Sequence, residues 1–493
     1  GRCDLTSATY AVGAHAFSAR YAGFGSYQPS TSATVAHSIA AATTRTTVSA
    51  STDGTSYGRN VGFVVRVDAT TATPVGSATL FDGTRSLGTC TLTAGSCTFS
   101  RADLTAGSHP ITASFSDGVS FLPSVSSAIV VAVAQAVTTA SLVSSAPTAG
   151  FGSPVTLTAT VAAADLTMPT GSVTFADGGR PLGSCALAGG SCALIVRDLS
   201  AGSHALAATY GGDPNHRTAT ASLSQTITPA TTTTTISSSA PGATYGAAIR
   251  FTVAVAAAAG TTPSGAIELR DGGLLLGSCT LAAGSCFVDA PALLAGSHPL
   301  AAAYAGDANH AASSGTLTQA VGLAATATTV TSGGPSEFGA EVTFTVEVTA
   351  ANGTIPTGTV AFADGASPLG TCALTGGRCS IRTSALAAGS HPIVATYPGD
   401  ANHALSGSST VAQEVATATT ATTLVSSAPS TTFPATVALS VSVAATYGTV
   451  PTGTIELLDG VASLGTCALE NGACAFADVA FRSEEHTSEL QSR

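Results

Sequence analysis

The sequence has no Trp, a single Met168 and only 5% aromatic residues. It also has no Lys: its 16 basic positions are all Arg, and they are scattered. A protein that grips nucleic acid needs a basic stripe to displace counterions from phosphate, and none is present. The formal charge of -11 favours solubility and names no partner. Long apolar runs are missing as well. The candidate around Ala128 to Val133 is short and β-branched, and no run approaches the roughly 18 residues a membrane helix needs. Helical periodicity of apolar residues is nowhere evident.

What the chain does have is recurrence. A pair of cysteines seven residues apart appears at Cys90 and Cys97, Cys185 and Cys192, Cys279 and Cys286, Cys372 and Cys379, and Cys467 and Cys474. Successive copies are spaced by 95, 94, 93 and 95 residues. A histidine follows twelve residues after the second cysteine, at His109, His204, His298 and His391. Cys3 and His15 stand in the same relation, so the chain opens in the back half of a copy. A period of this length suits a complete small domain better than a solenoid unit. The expected divisions are 1–40 (a back half), 41–138, 139–228, 229–322, 323–416 and 417–481 (a front half).

Within each copy the signals are those of strands and turns. Val155-Thr-Leu-Thr-Ala-Thr-Val161 and Val342-Thr-Phe-Thr-Val-Glu-Val348 alternate strictly, which predicts strands with one buried face. Thr-rich openings such as Thr231 to Thr235 read as first strands, because β-branched residues suit a pleated edge. Asp-Gly turns at Asp82, Asp177, Asp271, Asp364 and Asp459 mark hairpins. Last strands are expected to end near Gln135, Gln225, Gln319 and Gln413. Together these predict an all-β chain of antiparallel sandwiches strung like beads.

The cysteine pairs are read as local disulfides. Two residues beyond each cysteine stands an apolar residue, for example Leu187 and Leu194, so period two turns both sulfurs inward. A Gly lies two before every second cysteine, at Gly95, Gly190, Gly284, Gly377 and Gly472. If that Gly holds the fourth position of a two-residue turn, the two cysteines lie directly opposite each other. A three-residue loop would separate them. Zinc is one rival, but no second ligand pair stands at suitable spacing, and free buried thiols are the other. Five such pairs point to an oxidising, extracellular or surface compartment. Cys3 has no partner at this spacing.

Ser203-His204 invites a hydrolase reading. Catalysis needs a nucleophile, a base within reach and an orienting acid; here the Ser and His are adjacent and the pair recurs in every full repeat, so it reads as structure. His109, His204, His298 and His391, with Phe115, Tyr210, Tyr304 and Tyr397 six residues on, are expected to form the inward face of one strand. The histidine should bond backbone at the preceding corner. The Gly-Asp-x-Asn-His runs at Asp213-Asn215-His216, Asp307-Asn309-His310 and Asp400-Asn402-His403 offer too few oxygens for calcium and read as turns. Asn352-Gly-Thr354 is a lone glycosylation sequon. A phosphate-binding loop, dinucleotide fingerprint or HExxH helix is absent from the sequence. No cofactor, metal or catalytic residue is expected.

Tyr397-Pro-Gly-Asp400-Ala-Asn402-His403, with Pro356-Thr-Gly358 and Ala388-Gly-Ser-His391, resembles the bacterial Ig-like repeat family, group 3. The likeness runs from Gly1 to Phe481. The resemblance implies Greek-key sandwiches in tandem on secreted or cell-surface proteins, often as stalks of adhesins. The cysteine pair is a departure from that pattern. The reading that follows is a non-catalytic spacer of a secreted or surface-attached bacterial protein. Two others stay open: a module binding a host or neighbouring-cell glycan or protein through exposed loops, and the accessory array of a secreted enzyme. Neighbouring repeats are expected to be joined by short linkers and to stabilise each other only weakly. Residues 482–493 break the pattern, and Arg482 to Gln491 matches a translated sequencing adapter, so they are set aside as non-native.

Overall fold

A computed structural model describes residues 1–6 and 10–480; the 482–493 tail and Phe481 lie outside the described residues. By internal contacts the chain falls into two compact units. The first comprises Gly1–Thr232 with Ala256–Pro263 and Gly306–Ala311. The second comprises Thr233–Val255, Ser264–Ala305 and the chain from Ala312 onward.

In the first unit the second repeat shows the plan. Strands Thr138–Ser144, Val155–Ala163 and Ser191–Val196 form one antiparallel sheet of three. The facing sheet has five strands in the order Thr148–Gly150, Ala219–Thr228, Gly202–Tyr210, Ser172–Asp177, Arg180–Ala186. The chain crosses between sheets repeatedly, which is Greek-key wiring. Alternation does what period two requires. Val155, Leu157, Ala159, Val161 and Ala163 are buried, and the Thr and Ala residues between them are exposed or half-buried. Phe175, Leu206 and Tyr210 meet them from the five-stranded sheet. The first repeat has the same two sheets, with Thr44–Ala50 and Val61–Ala69 leading one and Gly107–Ser116 central to the other. Ahead of it, Gly13–Phe17 pairs with Val35–Ile39, setting His15 opposite His37.

The second unit repeats the plan. Strands Thr326–Ser332, Val342–Ala350 and Arg378–Thr383 form the smaller sheet of the fourth repeat, and Gly389–Tyr397 is central to the larger. The fifth copy, to residue 480, has a three-stranded sheet and the hairpin Thr454–Asp459 with Ala462–Ala468.

The Thr-rich stretches are first strands, and their hydroxyls explain the composition. Thr138 Oγ1 donates to the Arg217 carbonyl at 2.8 Å. Thr234 Oγ1 lies 2.7 Å from Ser313 Oγ, and Thr328 Oγ1 lies 2.7 Å from Ser406 Oγ. A β-branched residue therefore fills the strand while its hydroxyl is satisfied inside the sandwich.

Two expectations need correction. The cysteine-bearing strands are not ladder partners: Arg180–Ala186 pairs with the larger sheet and Ser191–Val196 with the smaller. Only Ala188 and Ser191 bridge them. Gly190 is thus the third residue of the turn, one place earlier than expected. Gly189 and Gly190 have φ of 61° and 77°, the signature of a type I′ turn. Gly190 has a second constraint: its carbonyl accepts Val161 N–H at 2.8 Å, and a Cβ there would stand 3.1 Å from the Val161 carbonyl. Gln135 is also no counterpart of the other glutamines. Gln225, Gln319 and Gln413 are buried opposite the histidines, and Val131 takes that place in the first repeat. The final strands run on past Gln225, to Thr228, and past Gln319, to Gly322.

Candidate functional site

Each cysteine pair is a disulfide: Cys90–Cys97, Cys185–Cys192, Cys279–Cys286, Cys372–Cys379 and Cys467–Cys474, with Cα separations of 5.8 to 6.1 Å. Because the two strands belong to different sheets, each bond joins the sheets at the point where the chain crosses over. Cys3 is free and exposed.

The four strand histidines are held the same way. Nε2 of His109, His204, His298 and His391 lies 2.6 to 2.8 Å from the carbonyl four residues earlier, at Thr105, Ser200, Leu294 and Ala387. The other nitrogen holds a contact the sequence reading missed. Nδ1 lies 2.6 to 2.7 Å from a carboxylate oxygen of Asp82, Asp177, Asp271 or Asp364. These are the Asp residues of the Asp-Gly turns. Each stands just before its turn, so its carboxylate is free to reach across. A constant spacing of 27 residues was the available signal. Burial disfavours the charged ring of His204, but the Ser200 carbonyl and Asp177 outweigh it and raise its pKa. His298 is raised in the same way through Asp271 and Leu294. The Ala387 carbonyl and Asp364 raise His391. Tyr210, Tyr304, Tyr397 and Phe115 are at most 1% exposed and fill the core beneath.

The Gly-Asp-x-Asn-His loops do more than turn the chain. Asp213 Oδ1 accepts the N–H groups of Asn215 and His216 at 2.8 and 2.9 Å, and Oδ2 accepts Thr170 N–H and hydroxyl at 2.8 and 2.9 Å. Asp400 repeats these contacts with Asn402, His403 and Thr357. Burial raises the Asp213 carboxyl, and the bonds from Thr170, Asn215 and His216 more than reverse this, leaving it well below the usual carboxylate range. Asp400 is lowered likewise. Among the described residues no cluster of three or more His, Cys, Asp or Glu could hold a metal ion.

The Asn and His of the loop face the preceding repeat. Asn215 Oδ1 accepts Ala106 N–H at 2.9 Å, Asn309 Oδ1 accepts Ala201 N–H at 2.9 Å, and Asn402 Oδ1 accepts Ala295 N–H at 3.0 Å. Each ring packs edge-on against an aromatic residue of that repeat: His216 on Tyr57, His310 on Phe151, His403 on Tyr245, at centroid distances of 5.4 to 5.5 Å. The glycine after each aromatic lets the next repeat approach. A Cβ on Gly152 would stand 2.5 Å from Thr261 Cγ2, and one on Gly246 2.7 Å from Thr354 Cγ2. The linker is sewn in as well: Ala136, Ala230 and Ala324 N–H donate to the carbonyls of Asn215, Asn309 and Asn402 at 2.8 to 2.9 Å. The site built by these residues is a joint between repeats. Aromatic-Gly pairs at residues 57, 151, 245 and 338 recur with the repeat period and would have pointed to it. The first copy lacks the Asn and has Phe121 in the place of the His, bridging Ala42 as His216 bridges Ala136.

The family model described as bacterial Ig-like domain (group 3) matches residues 46–134, 142–228, 234–322 and 328–416. No curated protein matches the chain. Fibronectin(III)-like modules of Clostridium thermocellum CbhA align at 16% identity and a TM-score of 0.17, covering 36% of this chain and 94% of theirs. FdeC, an Escherichia coli adhesin, aligns at 15% identity and 0.21, covering 56% of this chain and 96% of its own. Escherichia coli alpha-2-macroglobulin aligns at 13% identity and 0.16, covering 90% and 33%. Likenesses this weak carry no functional weight.

Proposed function

The chain belongs to the bacterial Ig-like domain family, group 3, and from that premise we propose that it is a load-bearing spacer of a secreted or surface-attached bacterial protein. It is a structural array of repeats, and the proposal extends this to an adhesin-like stalk without catalytic activity. The observation that carries it is the joint. Three successive junctions use the same parts: a loop Asn on a backbone N–H, a loop His on an aromatic ring, and a docked linker. Residues repeated at each junction serve the junction itself, as a spacer requires. The disulfides suit an oxidising compartment. Among the described residues no helix is long and apolar enough to cross a membrane.

Pulling the whole chain from its ends tests this reading. A spacer should give a series of similar unfolding steps, one per whole repeat, each lengthening by the few residues inside the disulfide loop when reductant is added. Extension at low force without such steps would refute load-bearing.

A further inference from the structure

The joints share one plan and differ in detail: the first has an exposed Gln135 side chain donating to the Asp213 carbonyl at 2.9 Å, the second has Phe151 where the others have Tyr, and one position beside the loop His differs in all three. Two residues before the Thr that touches the loop His stand Asp165, Ala259 and Asn352 in the second, third and fourth repeats. Thr167, Thr261 and Thr354 Oγ1 lie 2.7, 2.9 and 2.9 Å from Nε2 of His216, His310 and His403, so the three loops are equivalent.

Asn352 shows what the position can do. Its Oδ1 accepts Thr354 N–H at 3.2 Å and the Thr354 hydroxyl at 2.7 Å. Its Nδ2 donates across the joint to the Tyr245 carbonyl. Asp165 keeps the first half of this arrangement. Its Oδ1 accepts Thr167 N–H at 3.2 Å and the hydroxyl at 2.7 Å. Its Oδ2 occupies the place of the donor. A Cβ on Gly246 would stand 2.7 Å from Asn352 Nδ2, and one on Gly58 would stand 2.4 Å from Asp165 Oδ2. Oδ2 is buried and has no hydrogen-bond partner. By that equivalence a carboxylate oxygen meets the Tyr57 carbonyl where the fourth repeat supplies an N–H. Two acceptors cannot bond, and a buried acceptor without a donor is costly. Burial raises the Asp165 carboxyl, and the Thr167 bonds and the nearby His216 more than reverse this, so it stays a carboxylate; no donor among the described residues reaches its Oδ2. His216 reaches Thr167 and Asp213, and Asp213 is saturated by its own loop and by Thr170. Ala259 has no side-chain polar group and makes the second joint neutral at this position.

We propose that this position grades the joints, and that Asp165 makes the junction of the first and second repeats a built-in hinge, the weakest of the three. The proposal goes beyond the spacer reading and does not depend on it, since joint opening is read in the isolated chain whatever load it bears.

Each joint carries its own reporter. Ala106, Ala201 and Ala295 N–H groups are held by the loop Asn side chains and exchange with solvent when the joint opens. Hydrogen exchange on the whole chain, in buffer free of divalent cations at neutral pH, should find Ala106 least protected and Ala295 most. The expected gap between these two is about tenfold or more, from the cost of one unmatched buried polar group. Asp165→Asn should raise protection at Ala106 toward that of Ala295 and leave Ala295 unchanged. Asn352→Asp should lower Ala295. Equal protection at Ala106 and Ala295 in the unmodified chain would overturn the proposal, as would an Asp165→Asn chain with Ala106 unchanged.

Discussion

A few positions show how little of a turn is negotiable. The type I′ turn after each first cysteine needs φ above zero at two residues. Gly189 and Gly376 meet this freely at the first position, while Ala94 and Ala283 adopt φ of 51° and 50° there. A Cβ in that region crowds the following carbonyl. Ala283→Gly should therefore stabilise its repeat by about 0.5–1 kcal/mol in urea unfolding. The second position does not tolerate the reverse change. A Cβ on Gly377 would stand 2.9 Å from the Val348 carbonyl, on backbone that cannot yield. Gly377→Ala should destabilise by about 1–3 kcal/mol, and Gly376→Ala by less. Equal losses at the two glycines would contradict the close-approach argument.

The histidines give a pH dependence at the same scale. Both ring nitrogens of His204, His298 and His391 face oxygen acceptors, so both bonds need the doubly protonated ring. Their folded pKa values are raised above the unfolded value of about 6.5. Stability from this source is therefore fully present below about pH 6.5 and lost as pH rises through the raised folded values. Urea midpoints should fall between pH 6 and pH 9, and His204→Gln should flatten part of that slope. Midpoints rising over the same range would reverse the sign of the argument.

At the scale of elements, the sequence was most readable where period two was strict. Val342 to Val348 alternates without a break, and every second residue is buried. The Asp-Gly turns were legible because their residues serve local dihedral needs. The path of the cysteine strands was not. A hairpin signature states that two strands turn back, but which sheet each joins depends on partners far along the chain, such as Ser191–Val196 choosing Val155–Ala163. Spacing alone suggested that the two cysteines were close, and it could not show that their bond joins two sheets. The bond closes a short loop, which contributes about 2–3 kcal/mol in the chain-entropy model. Replacing Cys185 and Cys192 together by Ala should lower the stability of the second repeat by about that amount, measured against the oxidised chain. An unchanged urea midpoint would show that the sheets are held together without it. The Asp–His contact was hidden for a similar reason: 27 residues separate the partners, and only the fold brings turn and strand together.

For the chain as a whole, the joint contacts argue for more coupling than the expectation of weakly coupled repeats allows. Short linkers suggested little more than proximity. The joints instead hold side chain to backbone and ring to ring, and their residues lie in loops whose own turns mask them in sequence. At the junction of the second and third repeats, Asn309 Oδ1 accepts Ala201 N–H, His310 packs on Phe151, and Gly152 admits Thr261. Each repeat should then lend stability to its neighbour in the manner of a nearest-neighbour chain with a sizeable interface term. Asn309→Ala leaves the Ala201 N–H without its acceptor, a loss of about 1–3 kcal/mol when a buried group goes unpaired. Gly152→Ala drives a Cβ into Thr261 at a φ of +80° and should separate the surfaces more fully. Neither residue belongs to a sandwich core, so each repeat keeps its own fold. Calorimetry on the whole chain is the direct measurement. The unmodified chain should unfold in fewer and sharper transitions than its repeats would singly, and both variants should broaden or split the profile while the disulfides stay formed. A profile identical in all three chains would mean that the joint contacts transmit nothing, and stability would be additive after all.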